Sequence, residues 1–279
     1  MNEFVVGVDG SEHGRMALRW ASAVGATAGV PVRAVQSWMH PRSAVLPIAP
    51  VPLPAEEMEE QAREALTAVV TDTLGSSDAV TTEVLRGSPA GALLQTVTPE
   101  SVLVLGSRGL GGFAGLLLGS VSQECVEYAP CPVVVVRNDR QLGSGDMILV
   151  GKDGSLGAQR ALAWAHALAT ATGAQARAVH AWRATEAERP PRTGERLRSQ
   201  AADAAQGWTQ QVADEIESDE VEGDPRDVLV SAADRSAAAL TVVGRRGAGG
   251  LRSMRLGSTA NHLVRHSTTN VAVVPAPEP

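Results

Sequence analysis

The chain has 279 residues, a formal net charge of −7, and is 44% hydrophobic and 20% charged, long enough for two domains at roughly 100–200 residues each. This composition excludes wholesale disorder, and no run approaches the ~18 uninterrupted apolar residues of a membrane span. The acidic balance argues against sequence-independent nucleic-acid binding, which needs a basic face to neutralise phosphates. Cys125 and Cys131 make neither a disulfide framework nor a zinc site and read as small buried residues. With no basic, apolar leader ahead of the strand pattern at Phe4, a reduced, cytoplasmic protein is expected.

The elements alternate. Phe4–Val8 is a short apolar run, as in a strand buried on both faces. Ser11 caps a helix in which Ala17, Leu18, Ala21, Val24 and Ala28 recur at helical spacing. Val32–Ser37 reads as the second strand, and Pro41–Pro54, with five prolines, as a surface loop. Glu56–Leu74 is helical, Val80–Leu85 a strand, and Pro89–Val97 a helix opened by Ser88 with proline first. Val102–Leu105 and Val133–Val136 complete five strands, with the helix Ser120–Tyr128 between them. Gln123, three residues after Ser120, suggests a capping box.

The pattern then repeats. Asp9–Trp38 aligns without gaps on Asp153–Trp182 with 13 of 30 residues identical, and Gly106–Ser120 on Gly244–Ser258 with 8 of 15. Ile148–Val150, Arg177–Ala181, Val242–Val243 and Val271–Val274 are clear strands of the second copy. Glu215–Glu222 holds the place of a poorly marked third. This is a tandem duplication, read as domains 1–140 and 147–279 joined by linker 141–146. The fold class is α/β: two five-stranded, mostly parallel, Rossmann-like sheets of order 3-2-1-4-5 with helices on both faces. Val133–Val136 and Val271–Val274 would each leave an apolar edge, so they are expected to pair antiparallel as a pseudo-twofold dimer of domains. A homodimer of the whole chain and a protein partner stay open.

In such a sheet a ligand binds beyond the carboxyl ends of strands one and four, where strand order reverses. Val8-Asp9-Gly10-Ser11 and Gly106-Ser107-Arg108-Gly109-Leu110-Gly111-Gly112 therefore converge. The loop runs on to Gly119-Ser120 at a helix start, where free N–H groups and the helix dipole favour a phosphate. Glycines recur at the same places in copy two (Gly244, Gly247, Gly249, Gly250, Gly257), which a passive linker would not require. There is no P-loop, and Gly109–Ala114 fits the dinucleotide fingerprint only formally, since it follows a late strand.

The spaced pattern Gly106-x2-Gly109-x9-Gly119-Ser120, repeated as Gly244-x2-Gly247-x9-Gly257-Ser258, resembles the ATP-binding motif of the universal stress protein family. Val8-Asp9-Gly10-Ser11 and Cys131-Pro132-Val133-Val134-Val135-Val136 match that family too, and the resemblance spans nearly the whole chain. It implies an adenine nucleotide alpha-hydrolase-like fold with one ATP per domain, accompanied by Mg²⁺. It also implies a regulatory, non-enzymatic role in stress or dormancy. In copy one it assigns Gly7, Val8 and Asp9 to adenosine, and Gly106, Ser107, Arg108, Gly109, Leu110, Gly111, Gly112, Gly119, Ser120 and Val121 to ribose and phosphates. In copy two the corresponding residues are Gly151, Lys152, Asp153, Gly244, Arg245, Arg246, Gly247, Ala248, Gly249, Gly250, Gly257, Ser258 and Thr259. No catalytic residue and no dedicated metal site is assigned.

Copy two departs from copy one. Lys152, the chain's one lysine, replaces Val8, and Thr269-Asn270-Val271 replaces Cys131-Pro132-Val133. Its glycine loop carries Arg245, Arg246, Arg252 and Arg255 where copy one has only Arg108. Two of these cations facing the pocket would favour a more highly charged nucleotide there; the alternative is that they lie on the outer face. Asp9 and Asp153 read as Mg²⁺ or ribose contacts, or as simple turn formers. The tryptophan pairs Trp20/Trp164 and Trp38/Trp182 read as core, and His13, His40, His166, His180, His262 and His266 as structural or surface residues. A slow ATP-hydrolysing enzyme and a scaffold with empty sites are the competing functions.

Overall fold

The computed structural model describes residues 1–39, 54–110, 117–182, 216–248 and 254–276. The proline-rich stretch 41–53 lies outside them. The first repeat runs β1 (Glu3–Gly7), α1 (Glu12–Ala28), β2 (Val32–Trp38), α2 (Ala55–Leu74), β3 (Thr81–Arg86), α3 (Pro89–Thr96), β4 (Ser101–Gly106), α4 (Ser120–Tyr128) and β5 (Val133–Val136). The second runs β6 (Met147–Lys152), α5 (Leu156–Thr172), β7 (Gln175–Trp182), β8 (Glu217–Glu222), α6 (Pro225–Arg235), β9 (Leu240–Gly244), α7 (Ser258–His266) and β10 (Asn270–Val274).

The ten strands of the described residues form one sheet in the order β3-β2-β1-β4-β5-β10-β9-β6-β7-β8. Each half has the expected 3-2-1-4-5 order, and every pairing is parallel except β5 with β10. Val135 opposes Val271 and Val133 opposes Val273 at that junction. Both valine edges are thereby covered, and all four side chains are fully buried. Alternate residues of each strand supply two cores. Phe4, Val6 and Val104 join the core that contains Trp20 of α1, Leu66 of α2 and Leu168 of α5. Val5, Leu103 and Leu105 join the one that contains Leu93 of α3, Val126 of α4 and Leu263 of α7. This period of two in strands covered on both faces explains their near-continuous apolar sequence. Trp20 meets Phe4 edge-on, ring centroids 6.1 Å apart, and Trp164 packs against the same core.

The outermost strand β8 reads Glu-Ser-Asp-Glu-Val-Glu. Its carboxylates pair with the neighbouring strand: Glu217 with Arg177 at 2.6 Å and Glu220 with His180 at 2.6 Å. A charged edge discourages pairing with another chain.

Beyond the β5–β10 ladder, side chains bind the repeats together. Buried Asn270, standing where copy one has Pro132, accepts the N–H groups of Arg137 (2.8 Å) and Asn138 (3.2 Å) through Oδ1. Its Nδ2 donates to the Arg140 carbonyl at 3.1 Å. Arg137 donates to the carbonyls of Val264 (2.6 Å) and Arg265 (3.1 Å) at the end of α7. Cys125 and Cys131 are free and buried, and burial pushes their thiols up to about 12 and about 11.

One local expectation is corrected. Ser120 does not cap α4: Gly119 is the N-cap, with φ −74° and ψ 153°, and among the described residues no side chain closes the helix end. Gln123 turns instead to Glu127 and Arg265. Ser11 does cap α1, accepting the Gly14 N–H at 3.1 Å.

Candidate functional site

In copy two the parallel strands end at a cavity of about 600 Å³, within the usual range for small-molecule sites. Strand β6 brings Gly151, Lys152 and Asp153 to its wall, and the end of β9 with its following loop brings Gly244, Arg246, Gly247 and Ala248. The start of α7 adds Gly257, Ser258 and Thr259. Gly257 is the N-cap, at φ −69° and ψ 154°, and among the described residues no side chain takes the first-turn N–H groups. The positive end of the helix dipole therefore faces the cavity with open donors, the arrangement that holds an anion.

Asp153 fixes the opening. Its Oδ1 accepts the Ser155 N–H at 3.0 Å and its Oδ2 the Ala248 N–H at 2.7 Å, so one carboxylate ties the tip of β6 to the glycine loop. A Cβ on Gly247 would overlap that Oδ2 atom, which is why the position takes no side chain. Nearby, Gly244 crosses α5 so closely that a Cβ would lie 2.5 Å from the Gly157 carbonyl carbon.

Copy one repeats this geometry. Asp9 Oδ1 accepts from the Ser11 N–H (3.0 Å) and hydroxyl (2.6 Å), and Oδ2 from the Leu110 N–H at 2.9 Å. A Cβ on Gly109 would meet Asp9 as one on Gly247 meets Asp153. Gly106 crosses α1 at His13, and Ser107 is buried in backbone bonds to Val136 and Gly119. Val8 is buried under the strand tip, and Val121 packs against the core. Gly7 is packed against Leu105 and Leu93. Leu110 is exposed. Gly111, Gly112, Gly249 and Gly250 lie outside the described residues, as does Arg252.

The basic residues of the second loop divide. Arg246 lines the cavity, as does Lys152. Arg245 reaches the other way and donates to the Ala129 carbonyl at the end of α4. Arg255 stacks over Tyr128, 5.0 Å from the ring centroid. Two of the loop's basic residues thus bridge the repeats rather than face the cavity, the second of the two arrangements open to them.

The far wall carries no motif in the sequence. His180 and Ala181 at the end of β7, and Asp224, Pro225, Arg226 and Leu229 at the start of α6, also line the cavity. The available signal was topological: β7 flanks β6, so its tip must reach the same crevice. His13 was read as a structural or surface residue. In the fold its Nε2 accepts from Arg108 Nη2 at 3.1 Å; burial first, then the Arg108 charge, holds its pKa below the usual 6.5. Among the described residues no three His, Cys, Asp or Glu side chains gather as a metal site.

The Universal stress protein family model matches residues 1–137 and 146–275. A universal stress protein of Mycolicibacterium smegmatis is 32% identical over 288 residues, covering 97% of this chain and 96% of its own. One from Mycobacterium tuberculosis is also 32% identical, over 96% of this chain and 95% of its own. Among solved structures, a universal stress protein from Archaeoglobus fulgidus superposes with a TM-score of 0.67 at 24% identity, covering 99% and 97% of the two chains.

Proposed function

The chain belongs to the universal stress protein family, and from that premise we propose that each repeat binds one adenine nucleotide, ATP foremost, and that the protein acts as a regulator rather than an enzyme. One observation carries the reading: an uncapped helix N-terminus and a glycine loop, locked to the first strand by an aspartate, occur in both repeats at the sheet's crossover point. The residues fit the group. The cavity wall carries the N-terminus of α7 and the cations Lys152, Arg226 and Arg246, with apolar Val179, Leu229 and Val243 available to a base.

The geometry favours binding over hydrolysis. A hydrolase needs a base that activates water beside the phosphates. Asp153 and Asp9, the carboxylates bonded to the loops, already point both oxygens at N–H donors. Magnesium enters this reading only as the counter-ion that ATP carries. Chromatography of the small molecules released on denaturing the purified protein tests the proposal, followed by calorimetry with ATP, ADP and AMP. Two equivalents of adenine nucleotide per chain are expected. No released nucleotide and no heat of binding would overturn it, and steady-state phosphate release at enzymic rates would favour the hydrolase.

A further inference from the structure

Resting on that reading, we propose that each nucleotide site is held in shape from the opposite repeat, with Arg245 a positioning residue for the first site and Arg137 for the second. Each acts through the helix whose N-terminus meets the nucleotide, by gripping carbonyls at its C-terminal end. The Arg245 carbonyl accepts the N–H of Gly257, the N-cap of α7, at 2.8 Å. A Cβ on Gly257 would lie 3.4 Å from Arg246 Cα, so this helix start is seated on the second loop. The Arg245 side chain leaves in the other direction and donates to the carbonyl of Ala129, the C-cap of α4. That helix serves the first site. Its N-cap Gly119 donates to the Ser107 carbonyl at 2.8 Å, and a Cβ there would lie 3.5 Å from Arg108 Cα.

A second connection runs back from the first site. The Ser107 N–H donates to the Val136 carbonyl at 2.9 Å. The next residue, Arg137, donates to the carbonyls of Val264 (2.6 Å) and Arg265 (3.1 Å) in the last turn of α7. Burial, then the Arg108 charge, lowers the Arg137 pKa, in keeping with its place beside the first loop. Arg265 in turn donates to Gln123, in the first turn of α4, at 2.9 Å. Thus α4 begins at the first loop and ends at an arginine of the second, while α7 runs the opposite way. Each helix has nine residues, about 13 Å at 1.5 Å per residue, short enough to act as a rod. Its last carbonyls lack partners within the helix and carry the negative pole of its dipole. A guanidinium there satisfies the carbonyls, offsets that pole and fixes where the N–H groups at the far end point. The two arginines stand at unmatched places, Arg245 aligning with Ser107 and Arg137 with Pro275. The grips therefore belong to the junction and not to the repeat.

The test uses the full chain, with 8-azido-ATP as a photoaffinity probe and peptide mass spectrometry to read the labelling of each repeat separately. Arg245→Met should raise the half-saturating concentration of the first site by about fivefold, the low end of coupling between sites. The second site should shift less, although Arg245 lies in its loop. Arg137→Met should give the reverse order. Arg245→Lys, which keeps a cation and an N–H donor, should recover most of the lost first-site affinity. Where a Met variant does not fold, the Gln variant, which keeps a donor and loses the charge, is read in the same way. The proposal is overturned if each variant weakens its own repeat's site more, if both sites weaken equally, or if neither shifts; nucleotide binding itself then stands. Absence of labelling and of any heat of nucleotide binding in the parent chain overturns this inference together with the reading beneath it.

Discussion

The Asp9 carboxylate accepts the backbone N–H of Leu110 at 2.9 Å, a bond that spans 101 positions of sequence. Asp153 and Ala248 repeat it at 2.7 Å across 95 positions. In each repeat this bond closes the glycine loop onto the first strand, and it does so only because Gly109 and Gly247 present no Cβ to the carboxylate.

Gly109→Ala and Gly247→Ala should therefore each disable one site, as should the bulkier glutamate substitutions. An added Cβ would push the aspartate off the loop, costing a charge-assisted hydrogen bond worth about 1.5–3 kcal/mol at most and less at this exposed position. Calorimetric stoichiometry should fall from two nucleotides per chain to one in either variant. Two sites of undiminished affinity would show that the loop holds its ligand without the clamp.

The junction of the repeats supplies a stability prediction. Asn270 satisfies two N–H groups and one carbonyl of the connecting segment. Asn270→Ala should destabilise the chain by about 1–3 kcal/mol, because unpaired polar groups near the interior cost that much. Thermal unfolding should shift down by a few degrees, with nucleotide stoichiometry unchanged. An unaltered melting curve would mean that water replaces the asparagine without penalty.

Separating the repeats should expose Val133–Val136, now covered by β10. A fragment of residues 1–140 should then associate with itself through that edge. Sedimentation of the fragment checks this, and a stable monomer over a wide concentration range would contradict it.

Much of this architecture could be read from the residues, for physical reasons. Valine-rich strands buried on both faces announce themselves, so β5 was placed to the residue and its antiparallel partner followed from the need to cover an apolar edge. Strand β8 was faint because it lies at the sheet's border, where Glu217 and Glu220 serve to pair with Arg177 and His180 rather than to fill a core. That faintness concealed the turn into α6, and with it Asp224 and Arg226 on the cavity wall. The glycine spacing located the loops, but glycine patterns carry no direction for neighbouring side chains. Nothing in Arg245 or Arg255 as sequence tells that they turn to Ala129 and Tyr128 of the other repeat.

The two cysteines should be inert while the chain is folded. With thiols raised to about 12 and about 11 by burial, almost no thiolate exists at neutral pH, and the thiolate is the reacting species. A thiol-specific disulfide reagent should titrate neither residue in the native protein and both after denaturation. Rapid native labelling of either would contradict the burial.

The pH response of the first site follows from His13. Burial, reinforced by the Arg108 guanidinium, holds its pKa below the ordinary 6.5. Arg108 can only donate, so Nε2 is the accepting nitrogen and the ring is neutral with its proton on Nδ1. Below pH 6.5 the unfolded chain takes up a proton that the folded chain still refuses. This contribution to stability is complete above the unfolded value and is lost as pH falls toward the folded one. His13→Gln keeps a side-chain acceptor for Arg108 and removes the titration. It should flatten the part of the stability–pH curve lying between the two values, while leaving stability near pH 8 almost unchanged. Protonation also sets a second cation against Arg108, freeing that guanidinium toward the loop. ATP affinity at the first site should therefore rise as pH falls in the parent chain and stay level in His13→Gln. The second site has Gly157 at the matching position and lacks this contact. Urea titrations across pH 5–8, paired with nucleotide titrations in the Gly247→Ala background, decide the matter: identical profiles with and without His13 would mean that its ring carries no charge change in this range.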